Sequence, residues 1–524
     1  MKKFSPVLIA ALGILVGVLA VLTYDAYKSR KHYYNVQYGQ WRKLNLILDQ
    51  IDKNYVDTVD NEGVTEAAIV ASLAKLDPHS VYMPPVEFSE AETDLAGNFD
   101  GIGIQFNVPN DTATVIEVIQ GGPSEKAGLQ QGDRILKVDD KVIAGVGFPQ
   151  DSMVRRMKGP AGSKVRITVG RGKEIIPFDI TRGKIPVHCV DAAFMVNDTT
   201  GYIKLSKFSK TTFNEVSLAS LKLLADGMKK LILDLRDNSG GYFDQALLLS
   251  DMFLGKGDEI VYMEGLHRKR EEYKADGKGI LKDVALSVLI NESSASSSEI
   301  FAGAIQDNDR GKIIGRRSFG KGLVQEPLYF SDGSGVRLTV ARFYTPSGRC
   351  IQKPYSDDYR YDIYKRYSGG EMYVADSIKV DSTAAYKTVG GRTVYGGGGI
   401  IPDIFVPVDT TRATKFYIAC NRKATQTRFS SDMFDRYKSS ISGIEDFDEL
   451  GKALDKMDIP AKFREYASRV DGITCTPQEW KETEEYLVPQ LRALIGRYSK
   501  LGDNAFYKMY LGVDTTIRKA IEQE

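Results

Sequence analysis

The spacing of hydrophobic and polar positions changes its period several times along the chain, and the changes mark out its parts. No charged residue lies between Lys3 and Asp25, and the apolar run from Phe4 to Tyr24 is long enough to cross a bilayer as a helix, which takes about 20 residues. A cleaved export signal has a shorter apolar core of roughly 7 to 15 residues. The run therefore predicts an uncleaved anchor within residues 1–31, with Val18-Leu19-Ala20 as the alternative cleavage site. Leu44, Ile47, Leu48 and Ile51, then Ala67, Ala68, Val70, Ala71 and Leu73, recur at three- and four-residue steps and predict a helical region over 32–96. A Gly-rich break from Gly97 to Gly103 opens a series of short strands at 105–108, 114–119 and 165–169, with turn residues between them. From Gly201 onward buried strands (231–235, 284–290) alternate with helical stretches (212–224, 297–306), the pattern of an α/β core. Phe463, Tyr466, Leu487, Leu491 and Leu494 return to helical spacing and predict a helical tail over 409–524.

Length and composition fit this division. At about 150 residues per domain, 524 residues suggest three or four domains, and a chain that is 42% hydrophobic and 27% charged can pack cores throughout. With 70 Lys+Arg against 69 Asp+Glu, the net charge of +1 offers no electrostatic basis for a nucleic-acid partner. Cys189, Cys350, Cys420 and Cys475 lie far apart, with no CxxC pair, and the four histidines are His32, His79, His188 and His267. Neither set has metal-ligand spacing, so no metal and no cofactor is expected.

Four segments could carry chemistry. In Asp100-Gly-Ile-Gly-Ile-Gln-Phe106, glycines at 101 and 103 let consecutive N–H groups point into one concavity suited to a carboxylate. The strand that follows leaves an edge for an added peptide strand, so Gly101, Ile102, Gly103 and Ile104 are candidate peptide-binding residues. In Leu231-Ile-Leu-Asp-Leu-Arg-Asp-Asn-Ser-Gly-Gly241, a buried strand runs into a turn whose glycines allow close backbone approach to a substrate carbonyl. In Asn291-Glu-Ser-Ser-Ala-Ser-Ser-Ser-Glu299, a strand delivers five serines to the start of a helix, where the helix dipole favours a developing oxyanion. In Ser318-Phe-Gly-Lys-Gly-Leu-Val-Gln325, burial of Lys321 between two glycines would bring its amine toward the range of a general base. Singly, each segment has an ordinary use as a turn, a strand-to-helix loop, a helix cap or a solvated lysine. The Tyr-rich, charged insert 354–399 reads as a surface excursion with some hairpin structure.

Taken together the segments carry a resemblance. The Gly-Ile-Gly-Ile stretch with Ala127-Gly128-Leu129 and Gly132-Asp-Arg-Ile-Leu136 resembles a PDZ domain. Over residues 40–410 the chain resembles the tail-specific, or carboxyl-terminal processing, serine proteases. The shared motifs are Asp77-Pro-His-Ser80, the PDZ stretch, Asp234-Leu-Arg-Asp-Asn-Ser-Gly-Gly241, the serine cluster, Phe319-Gly-Lys-Gly322, Leu338 to Gly348, and Gly399-Ile-Ile-Pro-Asp403. The resemblance implies a multidomain α+β protein, with a PDZ domain over 97–184 inserted beside a crotonase-like or ClpP-like α/β Ser-Lys protease core over 185–408, between helical N- and C-terminal regions.

It further implies Ser296 as nucleophile, Lys321 as base and Gln325 as the residue orienting that lysine. The oxyanion donors would be the Ser297 N–H and an N–H at Gly240 or Gly241. Asp307 matches an acidic position of the family whose role would be structural. Two departures stand out: Ser297 where the family commonly has Ala, and Ser239 where it often has Pro. Both positions would contribute backbone alone. The implied protein is a serine endopeptidase that takes protein substrates by their C-terminal tails. The apolar N terminus would place it in a bacterial inner membrane, single-pass, with its catalytic part in the periplasm, or free there after cleavage; a homo-oligomer is compatible with the sequence. Two rivals are a Ser/His/Asp hydrolase with His267 or His79 as base, for which no Gly-x-Ser-x-Gly elbow is present, and an inactive PDZ scaffold that binds tails without cutting them.

Overall fold

The structure is a computed structural model that describes residues 13, 15–24, 41–356, 358–411 and 413–523. Residues 1–76 form one unit and 77–524 another.

In the first unit, residues 15–24 are helical, with Leu15, Val16, Leu19 and Leu22 exposed. The rest of the apolar run from Phe4, residues 4–12 and 14, lies outside the described residues. Among the described residues no helix is long and apolar enough to cross a membrane. The two predicted lead-in helices are Trp41–Asn54 and Asn61–Leu73; the second starts at Asp60, whose carboxylate accepts the Gly63 N–H at 3.0 Å.

The second unit is organised by a six-stranded sheet in the spatial order Val190–Met195, Thr200–Leu205, Lys230–Asp234, Ala285–Ile290, Lys312–Gly315, Ile404–Phe405. The first pair is antiparallel and the remainder parallel. Parallel strands are covered on both faces and so read as continuous apolar runs. Their side chains nonetheless alternate between two cores. Leu231, Leu233, Val288, Ile290 and Ile313 face the helices Thr212–Ala225, Phe243–Asp251 and Ser297–Asp307, while Ile232, Leu289 and Ile314 meet Val406, Leu511, Ile517 and Ala520 on the other side. The end of the helical tail is therefore one layer of the core. Asp514 heads the last helix, Thr515–Glu522, and also pairs with Arg236 at 2.9 Å, beneath the glycine turn.

The segment 98–186 leaves and rejoins this body through one antiparallel pair, Asn98–Gly101 with Gly183–Pro186. Between them stands an antiparallel sheet of 104–107, 113–118, 134–138, 164–171 and 174–181, with Ile104–Asn107 at its edge. The helix Gln150–Met157 puts Met153 and Met157 into a core with Ile102, Ile135, Ile167 and Ile180. The tail helix Thr425–Ile441 docks on this module. Lys438 Nζ donates to the Gln131 carbonyl at 2.6 Å, Asp435 pairs with Arg134, and Phe434 stacks on Tyr498 with ring centroids 4.4 Å apart. Gly132 has φ +86°, and a Cβ there would stand 3.0 Å from the Phe434 ring.

Candidate active site

Strands 230–234, 285–290 and 312–315 are adjacent and parallel, with Asp234 opposite Leu289 and Ile290 opposite Gly315. Their carboxyl ends therefore deliver the glycine turn, the serine loop and the lysine turn to one place, as crevices outside the strand ends of open α/β sheets require. The place is a cavity of about 1000 Å³ whose lining includes Gly240, Gly241, Ser296, Ser297, Lys321 and Gln325.

Hydrogen bonding sorts the five serines. Ser294 Oγ donates to the Leu235 carbonyl at 2.8 Å, Ser298 Oγ to Asn238 O at 2.9 Å and Ser297 Oγ to Gly241 O at 3.0 Å. All three fasten the serine loop to the glycine turn. Ser293 is exposed on the loop, and Ser296 stands at the head of the helix Ser297–Asp307 with φ +55° and ψ −114°. A non-glycine residue held there is strained by roughly 1–3 kcal/mol, and such strain gathers at functional sites. The expectation that position 297 contributes backbone alone is corrected: its hydroxyl also ties the two loops together.

The glycine turn needs its glycines. A Cβ on Gly241 would fall 2.0 Å from the Phe208 carbonyl oxygen, and one on Gly240 within 2.9 Å of Ala295 O, Ser296 Cβ and Ser297 N. The Gly240 N–H, one of the two expected oxyanion donors in this turn, is taken: it donates to Asn238 Oδ1 at 2.9 Å. Among the described residues the N–H groups of Gly241 and Ser297, both in the cavity lining, have no protein acceptor. Below the turn Asp234 is fully buried. Burial opposes its ionisation, but Arg236 and Lys204 hold its carboxyl below the usual carboxylate range.

Lys321 Nζ donates to Gln325 Oε1 at 2.8 Å, and Gln325 Nε2 donates to the His79 carbonyl at 2.6 Å. Among the described residues Lys321 makes no hydrogen bond to Ser296, so the two line one cavity without a hydrogen bond between them. Burial, reinforced by Arg337, lowers the Lys321 amine below its ordinary 10.5, while Glu299 and Asp77 pull the other way. The His79 carbonyl is presented by a turn in which Asp77 accepts the N–H groups of His79 and Ser80 at 2.7 Å each. The His79 ring is turned to the Tyr359 hydroxyl at 2.6 Å, and burial and then Lys321 lower its pKa to about 4. Its ring is thus neutral at neutral pH but is not bonded to Ser296, and His267 is exposed on the hairpin between Glu259–Gly265 and Arg268–Lys274.

Glu299 was not singled out in the sequence. Its carboxylate, with no solvent exposure, accepts Ser296 N at 2.8 Å, Ser318 Oγ at 2.5 Å, Gly320 N at 2.7 Å and Lys321 N at 2.9 Å. One side chain thereby sets the serine loop against the lysine turn. Burial raises its carboxyl above the ordinary value, and the four donors act in the opposite sense. A Glu in the first turn of a helix reads as a capping residue, so the sequence held a signal for its position but none for its partners on the lysine turn.

Asp307 lies at the far end of the same helix, fully buried and paired with the equally buried Arg349 at 2.7 Å, and it accepts the Ser347 N–H. Removing one partner of such a pair leaves a buried charge alone. Asp307→Ala is expected to lower the unfolding free energy by about 3–5 kcal/mol, measured by chemical denaturation. Gly101, Ile102, Gly103 and Ile104 stand where the edge strand Ile104–Asn107 begins, and Gly103 has φ +78°. The insert 354–399 is more than a surface excursion. It contains the hairpin of Ala385–Lys387 and Thr393–Tyr395, but Arg366, on its helix Asp362–Ser368, donates to the Ser318 carbonyl at 3.0 Å and the Arg317 carbonyl at 2.5 Å.

Comparison with known proteins matches residues 199–361 to the peptidase family S41 and 101–181 to the PDZ domain. A carboxy-terminal-processing protease of Bartonella bacilliformis is 37% identical over 321 residues, 60% of this chain and 73% of that one. A probable CtpA-like serine protease of Staphylococcus saprophyticus is 33% identical over 317 residues, 60% of this chain; the match spans 64% of that relative, just under two thirds of its length. Among solved structures, the PDZ domain of a carboxy-terminal protease from Vibrio cholerae in complex with peptide is 32% identical, covering 17% of this chain and 99% of its own, with a TM-score of 0.16.

Proposed function

Since the chain belongs to the family of carboxy-terminal-processing serine proteases, we propose that it is an endopeptidase in which Ser296 and Lys321 form the catalytic dyad and the PDZ domain captures the C-terminal tails of protein substrates. The observation that carries this reading is the shared cavity, with a strained serine at a helix head beside a desolvated lysine amine oriented by Gln325.

The neutral amine of Lys321 takes the proton of Ser296 Oγ as that oxygen attacks the scissile carbonyl carbon. The carbonyl oxygen becomes an oxyanion received by the N–H groups of Gly241 and Ser297. Lys321 then gives the proton to the departing amine, leaving an acyl-enzyme ester on Ser296. A water, deprotonated by the same amine, hydrolyses that ester and restores the serine. Because Nζ rests on Gln325 in the structure, the amine has to turn toward Ser296, and a substrate filling the cavity and excluding water favours that move. Tail capture adds an extended peptide antiparallel to the edge strand Ile104–Asn107, its terminal carboxylate at the Gly101–Gly103 nest. The apolar N-terminal run would hold the enzyme in the inner membrane, facing the periplasm.

The test is cleavage of an unfolded protein ending in an apolar tail, by wild type and Ser296→Ala, alongside labelling with a serine-directed fluorophosphonate. Wild type is expected to cleave and to be labelled at Ser296, and the variant to do neither. Cleavage by Ser296→Ala at the wild-type rate removes the dyad; tail binding without cleavage by wild type leaves a scaffold.

A further inference from the structure

We propose that the insert 354–399 sets cleavage-site specificity, with Ile363 touching an apolar substrate side chain beside the scissile bond. The inference rests on the dyad reading above and adds a residue to it that the chain's shared motifs do not contain.

Ile363 lies in the first turn of the helix Asp362–Ser368 and lines the cavity that holds Ser296 and Lys321. Its neighbours Tyr361 and Tyr364 are turned to solvent, 65% and 72% exposed. The helix thus directs a branched aliphatic side chain toward the cleft while its polar-tipped aromatics face water. Such an orientation matters for specificity only if the helix keeps its place relative to the dyad, and three sets of contacts keep it there.

The first is Arg366, one turn on, which donates to the carbonyls of Ser318 and Arg317, the residues just before the lysine turn. Its charge is met by Glu371 at 2.8 Å, and Glu371 also pairs with Arg317 at 2.6 Å. The second is Tyr359, whose hydroxyl meets His79 Nε2 at 2.6 Å, the same residue whose carbonyl receives Gln325. The third is Lys353, whose ammonium sits 4.0 Å from the Phe319 ring centroid and 4.3 Å from that of Tyr359. Buried contacts of this number leave the helix little freedom to shift relative to the lysine turn.

Phe319 and Leu323 add further apolar side chains to the cavity lining. An extended substrate alternates its side chains between the two walls of a cleft, so one substrate position faces Ile363. A missing or added methylene group in such a pocket is worth roughly 10- to 200-fold in kcat/KM. Apolar substrate side chains of a size matched to Ile363 are therefore favoured at that position.

The experiment profiles full-length wild type, Ile363→Ala and Ile363→Phe with a peptide library varied at each position flanking the cleavage site. Fluorophosphonate labelling of Ser296 is followed in parallel. Ile363→Ala is expected to shift the ratio of kcat/KM for large over small apolar side chains upward by about tenfold at one position. Ile363→Phe is expected to shift it downward, with Ser296 still labelled in both. A merely structural role would lower the rates for every peptide together and slow labelling, and that result overturns the proposal. Equal profiles for all three proteins overturn it while leaving the dyad intact. Absence of both cleavage and labelling in wild type overturns the dyad and this inference together.

Discussion

Lys321→Ala is expected to lower kcat by about 10⁴-fold or more, since a missing general base of a serine nucleophile costs this much or more where the two act as a unit. Lys321→Arg is expected to do no better, because a guanidinium stays charged and cannot accept the serine proton. The pH dependence distinguishes this role from loss of structure. Burial and Arg337 lower the Lys321 amine below 10.5, so wild-type kcat/KM is expected to rise with pH through that depressed ionisation and to fall on the acid side as the amine protonates. The residual activity of Lys321→Ala lacks this limb.

Stability follows the same ionisation. Between the depressed folded pKa and the unfolded value of 10.5, the unfolded chain binds the proton and the folded one does not, so stability increases with pH across that interval. The gain is lost as pH falls through the folded value, and Lys321→Met should flatten this slope. Denaturant midpoints measured along a pH series check the sign. A variant retaining both the acid limb and wild-type kcat would assign proton transfer to another group.

Glu299→Ala is expected to lower stability by roughly 3–5 kcal/mol and kcat by at least about 10²-fold, because it leaves four donors on two loops without their buried acceptor. The donors are the N–H groups of Ser296, Gly320 and Lys321 and the Ser318 hydroxyl. Glu299→Gln keeps the shape but turns an NH₂ toward two of the donors, so its losses should lie between those of wild type and Ala. Urea unfolding gives the first quantity, and turnover of a small ester that bypasses tail capture gives the second. A Glu299→Ala protein with wild-type turnover would show that the two loops are set by other contacts, of which Phe319 N to Ser294 O at 2.9 Å is one.

Much of this site was legible before any coordinates. The apolar strands 231–235 and 284–290 and the helices 212–224 and 297–306 stand within a residue or two of their expected places, because a buried parallel strand admits little but apolar side chains and glycines mark where it must turn. Ser296, Lys321 and Gln325 came from the resemblance, and the structure collects them in one cavity. Less legible were contacts between distant segments. Nothing local says that Asn238 consumes the Gly240 N–H and leaves the Gly241 N–H open, or that Ser297 uses its hydroxyl as well as its backbone. The insert read as surface because its composition is Tyr-rich and charged, yet Arg366 and Tyr359 spend those polar groups on the Ser318 carbonyl and His79.

The sequence by itself determined the order of elements, the places where backbone must turn tightly and the residue types available for acid–base chemistry, since these depend on side-chain pattern over a few turns of chain. Tertiary structure alone decided which donors remain free, that Glu299 joins the serine loop to the lysine turn, and that the last helix covers the second face of the core sheet. Those outcomes depend on which segments the parallel register of strands 230–234, 285–290 and 312–315 brings side by side. Hydrogen bonds made across that register join residues far apart in the chain, and no local period encodes them.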